Sequence, residues 1–250
     1  MLASTPGLVL HTTPYAETSV VVKVFTRQFG VQSYIIKGVR GHGGRVKQNM
    51  LQPLTSLDMV VYVNPKNELN YIKELSPRHP NTQASNPARP QGSGLEHLGE
   101  KNKSSEKAID NALRFFKTEV LYKALREEEP LPDLFDYVET DDGDQRDAPI
   151  RFLLTVAHHM GIAPMDNYSI REPLFDLQEG RYVSVATETT LSPALSAMLH
   201  EYLSPFTSHL STFNLSERRS LIDALIAYFQ LHLSGFRNFN SHEILHTILR

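Results

Sequence analysis

The stretch VVVKVFTRQFGVQSYIIKGVRGHGGRVK, residues 20–47, decides how the N-terminal part of the chain folds. It contains two runs in which β-branched and aromatic residues recur with a period of two, a pattern typical of β-strands. Gly30 separates the runs, and glycine tolerates the positive φ that a tight turn requires. The stretch therefore predicts a β-hairpin with strands at 19–26 and 31–39.

A basic, glycine-rich loop follows the predicted hairpin. Its cations alternate with glycines at 38, 41, 43 and 44, and no acid lies among them. A flexible cationic loop beside a hairpin suits the phosphate backbone of a nucleic acid. The alternative is that these side chains only keep the surface soluble. The predicted interface consists of Arg27, Lys37, Arg40, Arg45 and Lys47.

Charge is divided unevenly along the 250 residues. Residues 1–80 carry nine Lys and Arg against four Asp and Glu, a balance of +5, whereas residues 81–250 carry sixteen against twenty-four, a balance of −8. Such an asymmetry favours nucleic-acid contact by the basic part. Cysteine is absent, which excludes disulfides and thiolate ligands and fits a reducing compartment. No apolar run is long enough to predict a membrane helix.

The pattern of short strands predicts a small barrel. Three more apolar runs predict strands at 7–11, 57–63 and 69–75, and Pro53 interrupts a short helical piece before the fourth strand. Five short strands with this spacing favour a closed barrel of the OB type, a fold that binds nucleic acids. We assign the barrel to residues 1–78. Tyr15, Tyr34 and Tyr62 are candidate stacking platforms, although a tyrosine in a small barrel is as often part of the core.

The remainder of the chain changes character twice. Pro, Gly, Asn and Ser dominate residues 79–104, which we interpret as a flexible linker or insertion. From residue 105 the apolar period becomes helical, and a small hairpin is predicted at 176–185. Ser216 is the expected cap of a long helix. The expected fold is α+β and multi-domain, with a helical domain at 105–250.

Four stretches, in order along the chain, resemble the bacterial RecO family. They are GLVLHTTPYAETSVVVKVFTRQFG, YIIKGVRGHGGRVKQNMLQPL, FFKTEVLYKALREEEPLPDLFDYVE and FNSHEILHTIL. The resemblance implies a recombination mediator with an N-terminal OB-fold and a helical C-terminal domain. It implies binding to single- and double-stranded DNA, strand annealing, and partnership with RecR and the acidic tail of the single-strand-binding protein, so that RecA can load. It implies no catalytic residue and a cytoplasmic, nucleoid-associated protein.

One departure from the family concerns metal. Many RecO members hold zinc through four cysteines in the region that corresponds to residues 161–190 here, and this chain has none. We therefore expect a degenerate module without metal or other cofactor, held by ordinary hairpin packing.

The acidic, apolar-ended tail of a single-strand-binding protein would need a groove with cations at its rim. The helix rich in Phe and Leu places four candidates by position: Arg114, Lys117, Lys123 and Arg126.

The main rival function rests on His242, Glu243 and His246, which form an HExxH motif. On a helix this motif places two His on one face beside a Glu base, the arrangement of zinc peptidases. Leu249 stands where an extended peptidase motif has Gly, and no third ligand follows in the sequence given. A third interpretation is an adaptor that binds RecR and reaches DNA only through it.

Overall fold

The computed structural model describes residues 2–39, 48–63, 69–78, 99–140, 147–204 and 213–248. The chain divides into two compact units, residues 1–108 with 125–142, and residues 109–124 with 143–250.

Within the described residues, five strands of the first unit close into a barrel. The strands are β1 (Leu2–Pro14), β2 (Val20–Thr26), β3 (Gly30–Ile36), β4 (Ser56–Tyr62) and β5 (Asn70–Pro77). Around the barrel the order is β1-β2-β3-β5-β4, with β4 pairing back onto β1. The β3–β5 pair is parallel, and the other neighbours are antiparallel. A 3₁₀ turn at Gln48–Leu51 precedes β4. This is the predicted OB-fold.

Strand β1 is longer than the predicted 7–11 because it serves two neighbours. Its first part pairs with β4 and its second part with β2, and Gly7 belongs to both ladders. A Cβ at Gly7 would lie 2.5 Å from the Met59 side chain and 2.6 Å from that of Val24. Glycine, which has no Cβ, lets the backbone of β1 lie this close to the core side chains Met59 and Val24.

The barrel core follows the predicted alternation. Valines of β2 and alternate residues of β4 point inward, and both sets are almost fully buried. Tyr34 is fully buried as well, and burial raises the pKa of its hydroxyl. Tyr34, a candidate stacking residue in a small barrel, is therefore part of the core.

The helices extend from residue 99 to residue 248. They are α1 (Gly99–Ala124), α2 (Pro132–Thr140), α3 (Ala148–His159), α4 (Pro193–Leu203), α5 (Leu215–His232) and α6 (Ser241–Ile248), with a hairpin of β6 (Leu174–Asp176) and β7 (Arg181–Val183). The predicted linker lies outside the described residues over 79–98, but its last six residues, 99–104, are helical. Among the helices that the structure describes, none has the length and apolar character that a membrane crossing requires.

In the second unit, the apolar stripe of α1 packs inward through Leu113, Phe116, Val120 and Ala124, as its spacing predicts. Helix α5 begins at Leu215, and its cap lies two residues before the expected Ser216. Asn214 forms a capping box with Glu217, each side chain accepting a hydrogen bond from the backbone N–H of the other residue.

Residues 125–142 group with the barrel, although we predicted them within the helical domain. Helix α2 covers one side of the barrel, and Phe135 meets Phe25 of β2 edge to face at 5.5 Å between ring centroids. Phe25 points outward from the barrel and is nevertheless fully buried. We call the part of the barrel surface around Phe25 that α2 covers the covered side.

Candidate nucleic-acid interface

Arg27, the first predicted DNA contact, lies on the covered side. Its guanidinium donates two hydrogen bonds to Asp136, at 2.7 and 2.8 Å. This pairing raises the pKa of Arg27 and lowers the pKa of Asp136. The charge of Arg27 is thus already compensated by a carboxylate.

Other cations of the covered side are compensated in the same way. Lys23 Nζ lies 2.7 Å from a carboxylate oxygen of Glu127, and Arg78 donates to Glu139 at 2.8 Å and to Asp58 at 3.0 Å. The carboxylates of Glu127, Asp136 and Glu139 come from the segment 125–142. The acidic segment therefore neutralises part of the positive charge that the barrel sequence carries.

Lys37, the second predicted DNA contact, lies just past β3 and is exposed. Its ammonium group lies 5.5 Å from the ring centroid of Tyr71, within the range of a cation–π contact. Arg40, Arg45 and Lys47 lie outside the described residues, so contact of the loop with DNA stays a prediction.

Three outward side chains on adjacent strands form a row near Lys37, which we call the aromatic row: Leu2, Tyr62 and Tyr71. Tyr62 of β4 is directly opposite Leu2 of β1 on one side and Tyr71 of β5 on the other. Tyr62 is 49% exposed and Tyr71 is 45% exposed. Sequence reasoning missed Tyr71, although its place beside the half-buried Ile72 in an alternating strand could have indicated an outward ring.

The four cations proposed for partner binding do not share one environment. Arg114 is exposed on α1, next to Phe115, whose ring is also largely exposed. Lys117 lies over the ring of Phe152 at 5.5 Å. The other two, Lys123 and Arg126, are described next.

Lys123 is occupied within its own unit. Its ammonium group donates to the backbone carbonyl of Arg237 at 2.6 Å and lies 3.7 Å from Glu119. Arg126 is exposed beyond the end of α1. Of the four candidates, Arg114 best fits a rim cation beside an apolar surface.

The HExxH motif forms part of helix α6, and its side chains lie in different surroundings. Glu243 is exposed, whereas the His242 ring stacks on Phe239 at 5.6 Å. His246 lies 3.5 Å from Asp223, and burial lowers its pKa although Asp223 opposes the shift. Across the described ranges, no group of three or more His, Asp or Glu could hold a metal ion. The motif acts here as a packing element.

The hairpin of residues 161–190 is joined by hydrogen bonds centred on Asp176. The carboxylate accepts from the backbone N–H of Gln178 at 2.8 Å and of Glu179 at 2.9 Å. It also accepts from the hydroxyls of Thr187 and Thr189. Burial alone would raise the pKa of Asp176, but these hydrogen bonds outweigh burial and lower it.

The donors of this module do not suit zinc. The chain has no thiolate to offer, and the Asp176 oxygens are already saturated by hydrogen bonds. Asp176 connects β6, its turn and the 187–189 segment, the kind of cross-link that a metal ion would otherwise provide.

Comparisons with known proteins agree with the fold. The family model described as Recombination protein O N terminal matches residues 1–81, the region of the barrel. Three relatives carry the name DNA repair protein RecO. The Christiangramia forsetii protein is 26% identical, and the match covers 99% of each chain. The Phocaeicola vulgatus protein is 27% identical over 98% of each chain, and a Porphyromonas gingivalis protein is 27% identical over 99% of each.

The barrel is therefore similar to the N-terminal domain of recombination protein O, the class of protein that the family model describes. Because the matches extend from one end of the chain to the other, the whole chain is similar to proteins named DNA repair protein RecO.

Proposed function

We propose that this chain is a recombination mediator in DNA repair and has no enzymatic activity. It binds single- and double-stranded DNA, anneals complementary strands, and acts with RecR to load RecA onto strands coated by single-strand-binding protein. The observation that carries the proposal is the end-to-end similarity to proteins named DNA repair protein RecO, together with the OB barrel. We expect it to work in the cytoplasm, at the nucleoid.

Annealing follows from charge neutralisation by the loop after β3. Four cations that bind four phosphates let two strands approach, while loose contacts let bases search for partners. For single strands, a plot of log affinity against log salt should then have a slope of about −3.

The experiment measures single-strand binding and annealing by the purified full chain. A loop variant changes four cations to alanine: Lys37, Arg40, Arg45 and Lys47. A matched control removes four exposed cations elsewhere: Lys107, Arg151, Arg171 and Arg181. The loop variant should lose most of its salt-dependent affinity, and the control should keep it. A wild-type chain that binds DNA only when RecR is present would instead support the adaptor interpretation.

The tail of the single-strand-binding protein is proposed to bind on α1 beside Arg114. The exposed ring of Phe115 would receive an apolar end group, and Arg114 would pair with tail carboxylates. A tail peptide should bind the wild-type full chain. It should bind the Arg114→Ala and Phe115→Ala variants more weakly, and the Arg151→Ala variant as tightly as the wild type. Equal binding by all variants would exclude α1 as the binding site for the tail.

The hairpin module is proposed to need no metal. Asp176→Asn should destabilise the second unit by about 1–3 kcal/mol, because buried donors lose a charged acceptor. The control, Glu179→Gln, changes an exposed carboxylate in the same hairpin. Thermal unfolding of the wild type should be the same with and without EDTA, and a large drop with EDTA would contradict the proposal.

A further inference from the structure

We propose that the aromatic row, Leu2, Tyr62 and Tyr71, binds unpaired bases by stacking and so distinguishes single strands from duplex. This inference rests on the proposed function, because it names the chemical feature of DNA that the barrel recognises. The feature is the exposed face of a base, which the phosphate-binding loop cannot detect.

The geometry suits bases because two tyrosines occupy paired positions on neighbouring strands. Tyr62 and Tyr71 are direct partners in the β4–β5 ladder, which places their Cβ atoms about 5 Å apart. Each ring leaves close to half of its surface in solvent. Leu2, opposite Tyr62 across the other ladder, extends the apolar surface by one strand.

The charges around the row favour a polyanion. Lys37 lies against Tyr71 and places an ammonium group at the edge of the rings. Among the described residues of β3, β4 and β5, the acids are Asp58 and Glu74. Asp58 pairs with Arg78 and Glu74 with Lys73. A phosphate beside the row therefore meets a cation, while the strand acids are already engaged by other cations.

Stacking on the aromatic row would distinguish unpaired nucleotides from paired ones. Every base has a π-face, so aromatic platforms bind single strands with little sequence preference. In duplex the base faces are covered by their neighbours, and reaching them costs a few kcal/mol of unstacking. The phosphate loop would attract both forms, and the row would add affinity only for the single strand.

The size of the row argues against a protein partner. A stable protein interface buries roughly 800 Å² on each side. Three side chains, two of them aromatic rings of at most about 250 Å² each, fall short of that area. A surface of this size fits one or two bases.

The experiment compares binding of an unstructured oligothymidine and of a blunt duplex of equal length to the full chain. Tyr62→Ala and Tyr71→Ala should each weaken single-strand binding roughly ten-fold, without changing the salt slope or duplex binding. Tyr15→Ala, which alters an exposed tyrosine outside the row, is the matched control and should bind as the wild type does.

A second readout uses the absence of tryptophan. The chain has ten tyrosines and no Trp, so tyrosine fluorescence is not masked. Oligothymidine should quench part of this fluorescence in the wild type. The double variant Tyr62→Phe with Tyr71→Phe should keep single-strand affinity within about two-fold, because phenylalanine also stacks, but should lose that quenching.

The outcomes separate this inference from the proposed function. If both alanine variants bind oligothymidine normally while the loop variant does not, the stacking role is refuted and DNA binding stands. If duplex affinity falls as much as single-strand affinity, discrimination by the row is refuted. If the wild-type chain binds neither DNA at low salt, both proposals fail together.

Discussion

The barrel has two outward-facing aromatic regions, one buried by another segment of the chain and one exposed to solvent. On the covered side, Phe25 is buried under Phe135 and the nearby cations are paired with carboxylates of the segment 125–142. In the aromatic row, Tyr62 and Tyr71 remain half exposed beside Lys37. Because both regions arise from the same strand alternation, the difference lies in what the rest of the chain brings to each. One region serves stability, and the other is left available for a ligand.

The strongest test of this contrast removes the ring that covers Phe25. Phe135→Ala should lower the free energy of unfolding of the barrel unit by about 3–5 kcal/mol, since it opens a cavity over a fully buried ring. Tyr62→Ala, on the open side, should change it by less than about 1 kcal/mol. Urea unfolding measures both, and equal losses would mean that the two sides are energetically alike.

A buried carboxylate should matter next most. Glu139 is 7% exposed and accepts hydrogen bonds from Ser56 at 2.6 Å and Arg78 at 2.8 Å. Glu139→Gln should therefore cost about 1–2 kcal/mol. Asp58 pairs with the same arginine but is 52% exposed, so Asp58→Asn should cost less than about 0.5 kcal/mol. A reversed order would show that burial does not decide the strength of these pairs.

The pair of Arg27 and Asp136 predicts a smaller, pH-dependent effect. The pKa of Asp136 is lower when folded than its ordinary value, so the pair stabilises the fold above that ordinary value. This contribution is lost as the pH falls through the lowered pKa. Asp136→Asn should melt below the wild type at pH 7, and the gap should narrow as the pH falls below the ordinary carboxyl value of 3.8. Arg27→Ala should give the same profile, and a gap that does not narrow at all in acid would exclude the pair as its cause.

The smallest expected effect is on the salt dependence of single-strand binding. Asp136→Asn releases Arg27, which should add about one phosphate contact and steepen the log-log slope by about 0.7. Lys37→Ala should make the slope shallower by a similar amount. An unchanged slope in Asp136→Asn would mean that Arg27 either binds phosphate already or never does.

Local pattern predicted most of the elements correctly. Alternation located the barrel strands, and the helical stripe of α1 located its buried face. The first half of β1 was missed because Ser, Thr, Pro and Gly hide its alternation, although its backbone pairs fully with β4. The cap of α5 was placed at Ser216, since both serine and asparagine suit a cap and only the Glu217 contact identifies Asn214.

The contacts between segments far apart in sequence could not be predicted from local pattern. Strand alternation assigns Phe25 and Tyr71 to outward positions but does not say which one another segment will bury. The acids among residues 127–139 give no local sign of being paired, because their partners Lys23, Arg27 and Arg78 are far away in sequence. The candidate site was therefore predicted as a set of cations, one of which the fold pairs with a carboxylate.

The attachment of the covering segment also has a consequence for how the chain is made. Glu128 donates a backbone hydrogen bond to Val31, and Gly30, with φ of 64°, passes so close to Glu129 that no side chain would fit there. The segment can dock only once the β2–β3 turn exists, and 109 residues separate Arg27 from Asp136. At a ribosomal rate of about 5–20 residues per second, Phe25 stays uncovered for roughly 5–20 s before the segment that covers it is synthesised. During that interval an apolar ring is exposed on the emerging chain, and chaperones that recognise such surfaces have time to bind it.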